Sequence, residues 1–184
     1  MTEYSHLCAI CGAVNPQLHH VDENSENNTP LNLLPLCPNH HLTDQHNPTR
    51  KIGSGRLRLF REHKDPAILK PQFEPLYRRL TALGTSRQDF QTLYDVVRDF
   101  LAFVLHLKMG EYYSGRFEKL IQPTEPKYVS RWEPRGDNSP ATKEQAVLYA
   151  QLANRINDSS VEITNLTVEL LRYQNWPDST SRPN

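Results

Sequence analysis

Cysteine and histidine, which readily bind transition metals, are concentrated at the start of this chain. All three cysteines, Cys8, Cys11 and Cys37, lie there, together with six of the eight histidines. The Cys8-x-x-Cys11 pair has the spacing of a metal-binding turn and also that of a redox motif. The odd number of cysteines argues against a disulfide framework, and no βαβ pattern surrounds the pair to favour a redox role.

The segment CPNH at residues 37–40 repeats the spacing of the first pair, with histidine in the last position. The two segments together offer three thiolates and one imidazole, an ordinary ligand set for structural zinc. The loop between them has little apolar content, so a bound Zn²⁺ would supply folding free energy that a small core cannot. The alternative is a set of reduced, metal-free cysteines in a small core. We predict a structural zinc site formed by Cys8, Cys11, Cys37 and His40.

Further candidate ligands lie between the two cysteine segments. Residues 18–22 are bounded by apolar residues and predict a short strand that carries His19 and His20. Residues 23–30 are polar and rich in turn formers, which predicts a loop. Residues 31–37 are apolar and lead into a helix that we expect to start near His40. This order of elements places His41 at or near a helix start, close to the predicted zinc site.

The segment LHHVDENSENNTPLNLLPLCPNHH resembles the HNH motif, also called the ββα-metal fold. The zinc-bearing branch of that family has C-x-x-C, a strand that carries histidine, and then N-L-x-x-L-C-x-x-[CH]-H. This chain has CAIC, LHHVD, NLLPLC and PNHH in the same order, and the resemblance covers roughly residues 7–65. It implies an α+β chain, with a small N-terminal ββα-metal domain and zinc knuckle followed by a mainly α-helical C-terminal region.

The resemblance also implies an enzyme, a metal-dependent endonuclease that hydrolyses phosphodiester bonds, with DNA favoured over RNA. His20 would be the general base, because a neutral imidazole can take a proton from water. His19 and His41 would hold the catalytic metal, and Asn32 would orient His20 through the nearby backbone. Many family members have aspartate where this chain has His19. Two imidazoles suit Mn²⁺, Ni²⁺ or Zn²⁺ at least as well as Mg²⁺, and we expect Mg²⁺ or Mn²⁺ because both are available in cells.

Positive charge follows directly after the predicted metal-binding segments, although the net charge of the chain is zero. Residues 1–49 contain no lysine or arginine, whereas residues 50–80 contain nine against three acidic residues. Such a stretch can hold a polyanion, and a solvated helix surface is the alternative. Because arginine binds phosphate well, the predicted nucleic-acid-binding residues are Arg50, Lys51, Arg56, Arg58 and Arg61.

The remainder of the chain has helical patterns and no second cluster of chemically reactive residues. The clearest pattern is an apolar stripe at helical spacing, formed by Phe90, Leu93, Val97, Phe100, Val104 and Leu107. We predict a nuclease domain over residues 1–65, a connecting helix within 66–85 that ends at Gly84, and a helical domain over 86–184. Within that last domain we expect Thr85-Ser86 to cap the first helix, a long loop over 122–140 and a disordered tail over 177–184. The helical domain would dimerise or dock a regulatory protein partner.

The composition, 37% hydrophobic and 23% charged, is that of an ordinary globular chain. No apolar run of membrane-spanning length and no signal-peptide pattern is present, so we expect a cytoplasmic protein without a membrane partner. By analogy with the family, a nuclease of this size fits an effector of prokaryotic antiviral defence or of a mobile element. Two other classes stay open: a non-catalytic zinc-binding adaptor for nucleic acid or protein, and a redox-sensing zinc protein. The presence of His20, Asn32 and His41 favours the nuclease, because an adaptor does not need them.

Overall fold

The computed structural model describes residues 2–85, 89–122 and 140–174. The chain divides into two compact units, residues 1–71 and residues 72–184. The first unit contains a two-stranded antiparallel sheet and the second is built from helices. The predicted α+β class is therefore confirmed, with most of the described residues in helices.

The sheet of the first unit pairs β1 (Gln17–His20) with β2 (Leu33–Leu36), so that His20 lies opposite Leu33. The apolar side chains of β2 form part of a small core, and Leu34 is fully buried. A short 3₁₀ turn, Pro30–Asn32, leads directly into β2. The polar loop predicted over residues 23–30 thus lies between the two strands. It allows β2 to pair with β1, the strand that contains His19 and His20.

A π-helix, Asn39–Gln45, follows β2 where the sequence predicted a helix starting near His40. The chain then forms α1 (Ser54–His63) and a 3₁₀ turn, Pro66–Leu69. The basic segment RLRLFREHK, residues 56–64, forms most of α1 and its C-terminal cap at Lys64. The core of this unit is formed by buried apolar residues that include Val21, Leu34, Leu36, Leu57, Phe60 and Ile68.

The second unit consists of five described helices. They are α2 (Glu74–Gly84), α3 (Phe90–Leu105), α4 (Gly110–Ile121), α5 (Pro140–Asp158) and α6 (Ser160–Arg172). Helix α2 ends at Gly84, as the sequence predicted. The predicted cap of α3 by Thr85-Ser86 was wrong: Asp89 is the N-cap, and its carboxylate accepts a hydrogen bond from the Thr92 N–H because that residue directly precedes the helix.

The helical stripe of α3 provides much of the core of the second unit, and Leu93, Val97 and Phe100 are buried. The Phe100 ring meets the Phe117 ring of α4 edge-on, with 4.9 Å between ring centres. A Cβ at Gly110 would lie less than 3.0 Å from backbone oxygens at the end of α3, so only glycine fits this close approach. Most of the predicted loop 122–140 and the whole predicted tail 177–184 lie outside the described residues.

No helix among the described residues is both long enough and apolar enough to span a membrane.

Candidate metal centre and histidine pocket

Four side chains from the two cysteine segments converge in the first unit. The ligand atoms of Cys8, Cys11, Cys37 and His40 all lie within 4.8 Å of one another, so these residues are close enough to hold a metal ion. The sulfurs of Cys11 and Cys37 are 3.8 Å apart, and the Nδ1 atom of His40 is 3.3 Å from the Cys37 sulfur. The Cys8 sulfur lies 3.5 Å from the same nitrogen. We refer to these four residues as the knuckle cluster.

Backbone hydrogen bonds hold the first cysteine pair in a tight turn. The Cys8 N–H donates to the Ala13 carbonyl and the Gly12 N–H donates back to the Cys8 carbonyl. Gly12 adopts a φ of 72°, a left-handed conformation that glycine tolerates at no steric cost. The Ala9 N–H donates to the Pro35 carbonyl and so attaches this turn to β2. The turn therefore places its sulfurs beside the second cysteine segment, which begins directly after β2.

The thiols of the knuckle cluster differ in acidity. Burial acts to raise the pKa of the Cys8 thiol, but backbone N–H groups of Cys37, Cys11 and Ile10 donate toward its sulfur and lower the pKa to about 6. The Ala13 N–H acts to lower the pKa of Cys11, but desolvation and the neighbouring sulfurs raise it overall. Since a metal ion binds the thiolate, the lowered pKa favours Cys8 as a ligand at neutral pH.

The far side of the His40 ring faces a carboxylate. Its Nε2 atom lies 3.9 Å from an oxygen of Asp44, one helical turn further along the π-helix. The other oxygen of Asp44 lies 3.9 Å from the Arg50 guanidinium. A carboxylate behind a ligating imidazole fixes the orientation of the ring and raises its basicity. Asp44 therefore supports the knuckle cluster.

Next to the knuckle cluster, the first unit contains a cavity of about 310 Å³ that we call the histidine pocket. It brings together both histidines of β1 and two from the segment after β2, with charged and polar groups at its wall. Its lining residues are His19, His20, Glu23, Ser25, His41, Gln45, His46 and Lys51. The three histidines that the sequence singled out for catalysis and metal binding thus line one cavity.

His19 is the most deeply placed of these imidazoles, with 7% of its surface exposed. Its ring centre lies 5.4 Å from that of His41. Burial, followed by the neighbouring His41 and His46, lowers the pKa of His19 to about 4. His19 is therefore neutral at pH 7, the form in which an imidazole binds a metal ion.

Gln17 orients His41. The Nδ1–H of His41 donates to the Gln17 side-chain oxygen over 2.8 Å, which leaves the Nε2 lone pair available. Burial and the nearby His46 lower the pKa of His41, so this ring is also neutral at pH 7. A second hydrogen bond of this kind is the usual way in which proteins fix the tautomer of a metal-binding histidine.

Asn28 orients His20 in the same manner. The Nε2–H of His20 donates to the Asn28 side-chain oxygen over 3.0 Å, which leaves Nδ1 as the unprotonated nitrogen. A nitrogen with a free lone pair is what a general base requires. The sequence did not predict a role for Asn28 or Gln17, because either amide could equally have been a solvated surface residue.

Asn32 fixes the loop between the strands. Its buried side chain accepts a hydrogen bond from the Asp22 N–H and donates to the Asp22 carboxylate and to the Asn27 carbonyl. Both ends of the loop that carries Asn28 are thereby held in place. The predicted backbone contact near His20 is present, two residues further along the chain at Asp22.

The sequence did not predict that His46 would line the histidine pocket. Its ring centre lies 5.2 Å from that of His41, five residues earlier in the chain. In an α-helix, residues five apart lie on different faces, whereas the i→i+5 hydrogen bonds of a π-helix bring them to the same face. His46 directly follows the π-helix, so the course of that helix sets the position from which its imidazole meets the His41 ring.

The five predicted nucleic-acid-binding residues divide into two groups. Arg56 is 7% exposed and donates to the backbone carbonyls of residues 68–70. Arg61 is 8% exposed and forms a two-pronged pair with Glu3. These two guanidinium groups are directed into the protein, which differs from the predicted contact with phosphate. The sequence could not distinguish them because a charge count does not specify which side of a helix is buried.

The other three basic residues are exposed. Lys51 pairs with Glu23 at the wall of the histidine pocket, and Arg50 lies near Asp44. Arg58 lines a separate cleft of about 600 Å³ that the loop residues Asn27 and Thr29 also line. Lys51 and Arg58 thus lie next to the loop between the two strands.

Within the described part of the chain, the knuckle cluster alone brings three or more potential ligand atoms within 4.8 Å of one another. The histidine pocket holds its imidazoles farther apart, around an open cavity.

Comparisons of the chain with models of protein families, with curated proteins and with solved structures find no match. Its function must therefore be inferred from its own residues.

Proposed function

We propose that this chain is a metal-dependent endonuclease of the HNH type, which hydrolyses phosphodiester bonds in nucleic acid. The observation that carries the proposal is the histidine pocket, in which His19, His20 and His41 line one cavity beside a possible metal-binding cluster. The sequence resemblance assigns the same three residues to metal binding and proton transfer. The proposal therefore rests on the sequence resemblance and is supported by the position of these three side chains at one cavity.

The proposed metal of the knuckle cluster is structural zinc. Tetrahedral zinc with bonds of about 2.3 Å to sulfur and about 2.0 Å to nitrogen requires S···S distances near ~3.8 Å and S···N distances near ~3.5 Å. The Cys11–Cys37 distance of 3.8 Å and the Cys8–His40 distance of 3.5 Å fit that requirement. Four protein ligands leave no open position, which is typical of a site that stabilises a fold.

The proposed catalytic metal is Mg²⁺ or Mn²⁺, held by His19 and His41 with His46 as a further candidate ligand. Two imidazoles that bind one ion at about 2.1 Å place their ring centres roughly 5 Å apart. The ring centres of His19 and His41 lie 5.4 Å apart and those of His41 and His46 lie 5.2 Å apart, slightly more than this value. When bound, such an ion neutralises charge on the phosphate and assists the leaving oxygen.

The proton transfer is assigned to His20. Asn28 occupies its Nε2–H, so Nδ1 can take the proton of a water molecule that attacks the phosphorus atom. Asn32 keeps the loop that carries Asn28 in position through three hydrogen bonds. The exposed Arg50, Lys51 and Arg58 would bind neighbouring phosphates, which gives affinity without reading base sequence.

DNA is the proposed substrate ahead of RNA, and the biological setting proposed from the family resemblance is a prokaryotic antiviral defence system or a mobile element. The helical unit, residues 72–184, is proposed to dimerise or to dock a regulatory partner. A single site of this kind cuts one strand, so a double-strand break would require two copies or two successive events.

The test is cleavage of supercoiled plasmid by zinc-loaded protein with Mg²⁺ or Mn²⁺ added. We expect nicked or linear product from the unmodified chain, none without added metal, and none from His20→Ala. His106→Ala is the matched control, because it removes an exposed histidine of the helical unit. Intact plasmid after incubation with folded, zinc-loaded protein would contradict a constitutive DNase, and the same assay with RNA would test the other substrate.

The rival function is a non-catalytic zinc-binding adaptor for nucleic acid or protein. One observation favours it: the knuckle cluster alone meets the 4.8 Å spacing within the described residues. An adaptor predicts that the chain binds DNA without cleaving it and that His20→Ala leaves binding unchanged. The cleavage assay and a parallel binding assay therefore separate the two functions.

A further inference from the structure

Gln45, the last residue of the π-helix, is a polar residue in a buried position. It lines the histidine pocket, yet only 3% of its surface is exposed. Neither its side-chain nitrogen nor its side-chain oxygen has a hydrogen-bond partner among the protein atoms that the structure describes. Both atoms of a polar amide are thus buried and unpaired in the wall of the pocket.

Such an arrangement reduces the stability of the fold. A buried amide group without a partner loses its hydrogen bonds to water and gains none in the protein, and an apolar side chain of the same size would avoid that loss. Unpaired buried groups in folded proteins call for an explanation, and ligand binding is one of the few available. No described protein hydrogen bond holds the Gln45 amide, so none must break for it to turn toward a molecule in the pocket.

Three hydrogen-bonding groups around the pocket already have protein partners. His41 Nδ1–H donates to Gln17, His20 Nε2–H donates to Asn28, and the Lys51 ammonium pairs with Glu23. The remaining unpaired amide offers two N–H donors without a positive charge. A phosphodiester group has two non-bridging oxygens that accept hydrogen bonds, and the cavity of about 310 Å³ has room for it.

We infer that Gln45 is a substrate-binding residue, whose side-chain N–H donates a hydrogen bond to a non-bridging oxygen of the phosphodiester group in the histidine pocket. The inference rests on the proposed function, because it takes the phosphodiester as the occupant of that pocket. Gln45 would contact the phosphate inside the cavity without a charge, whereas the proposed contacts of Arg50, Lys51 and Arg58 with neighbouring phosphates are charged.

The test uses the full zinc-loaded chain without Mg²⁺ or Mn²⁺, so that nothing is hydrolysed. The probe is thymidylyl-thymidine, which contains one phosphodiester group, and thymidine serves as the phosphate-free control. Gln45→Met keeps the length of the side chain and removes its donors and acceptor. Gln91→Met, on the exposed face of α3, is the matched control.

We expect the side-chain amide signal of Gln45, followed by two-dimensional NMR, to shift with thymidylyl-thymidine and not with thymidine. Gln45→Met should bind the probe at least tenfold more weakly and should melt at the same temperature as the unmodified chain or higher. Gln91→Met should change neither property.

Three results would overturn the inference in distinguishable ways. If the amides of His41 and His46 shift but Gln45 does not, and Gln45→Met binds normally, Gln45 has no role in binding while the proposed nuclease function stands. If Gln45→Met melts at a much lower temperature with unchanged binding, the amide is structural. If no residue of the pocket responds to the probe, both the inference and the phosphodiester assignment fail.

Discussion

The knuckle cluster and the histidine pocket share one short stretch of chain but are built in opposite ways. In the knuckle cluster four ligand atoms lie within 4.8 Å of one another, and a carboxylate supports the single imidazole. In the histidine pocket the ring centres are 5.2 Å and 5.4 Å apart around a cavity of about 310 Å³. A closed set of ligands suits a site that stabilises the fold, whereas open space suits a site that admits a substrate.

The comparison teaches that residue type alone does not define a metal site. Histidine occurs in both regions, and adjacent residues of the chain, His40 and His41, belong to different ones. What differs is how the remaining polar groups are paired. The His40 ring has a carboxylate, Asp44, on its far side, whereas the buried Gln45 amide of the pocket has no hydrogen-bond partner among the described protein atoms.

The largest expected effect is loss of the knuckle cluster. Cys37→Ser should abolish zinc binding and unfold residues 1–71, because structural zinc in small domains contributes about 10 kcal/mol or more to folding. Zinc content by atomic absorption and unfolding by circular dichroism would check this. His41→Ala, which changes the histidine pocket, is the control, because this variant should still bind zinc and remain folded. A fully folded, zinc-free Cys37→Ser protein would contradict the division of roles.

Asn32→Ala should produce the next largest effect, and it should appear in stability as well as in activity. The change removes three hydrogen bonds of a buried side chain, and we expect a loss of about 2–3 kcal/mol in the free energy of unfolding. Urea denaturation would measure it. Asn24 lies in the same loop but is exposed, and its side-chain oxygen accepts one hydrogen bond from the Glu26 N–H. Asn24→Ala should therefore change the free energy of unfolding by less than about 0.5 kcal/mol. Equal effects of the two variants would refute the special role of Asn32.

Asn28→Ala should affect the histidine pocket without affecting the fold. It removes the acceptor that fixes His20, so we expect cleavage to slow by about tenfold at unchanged melting temperature. Initial rates of plasmid nicking would measure the change. An unaltered rate in an active preparation would show that His20 does not depend on Asn28 for its orientation.

The smallest expected effect is at Glu3, and it tests whether Arg61 stabilises the fold through its pair with Glu3. Hydrogen bonds from Arg61, then from Lys64, lower the pKa of Glu3 to about 2 from the usual 4.5. A lowered pKa means that the pair stabilises the protein above about pH 4.5 and that this contribution is lost as the pH falls toward 2. Because the carboxylate is partly exposed, solvent screening limits the contribution to about 1 kcal/mol.

The variant for this test is Glu3→Gln. Its stability difference from the unmodified chain should be largest at about pH 7 and smaller at about pH 4, as measured by urea denaturation. A difference that does not depend on pH would mean that the charge of Glu3 does not contribute. If Glu3→Gln instead strengthened DNA binding at full stability, the released Arg61 would belong with the phosphate-binding residues.

The sequence predicted what depends on local spacing and residue type. The cysteine segments predicted the four members of the knuckle cluster, and the apolar stripe of α3 predicted its buried face. Each prediction needed only the distance along the chain and the chemistry of one side chain. The end of α2 at Gly84 is of the same kind, because glycine seldom continues a helix.

The rest depends on contacts that spacing does not encode. Gln17 and His41 are 24 residues apart, and only the folded sheet brings them together. The π-helix that aligns His41 with His46 depends on backbone hydrogen bonds that no residue pattern specifies. The inward direction of Arg56 and Arg61 reflects which face of α1 the core covers, which a count of charges cannot show.

Because His40 and His41 are adjacent, the chain is restricted in where it can gain or lose residues during evolution. The His41 N–H donates to the Cys37 carbonyl, so this hydrogen bond links the histidine pocket to the knuckle cluster. Insertion of one residue between them would turn one imidazole away from its group while leaving the amino-acid composition almost unchanged. We therefore expect length variation in relatives of this chain to fall in the loop over residues 23–30 and not between residues 37 and 46.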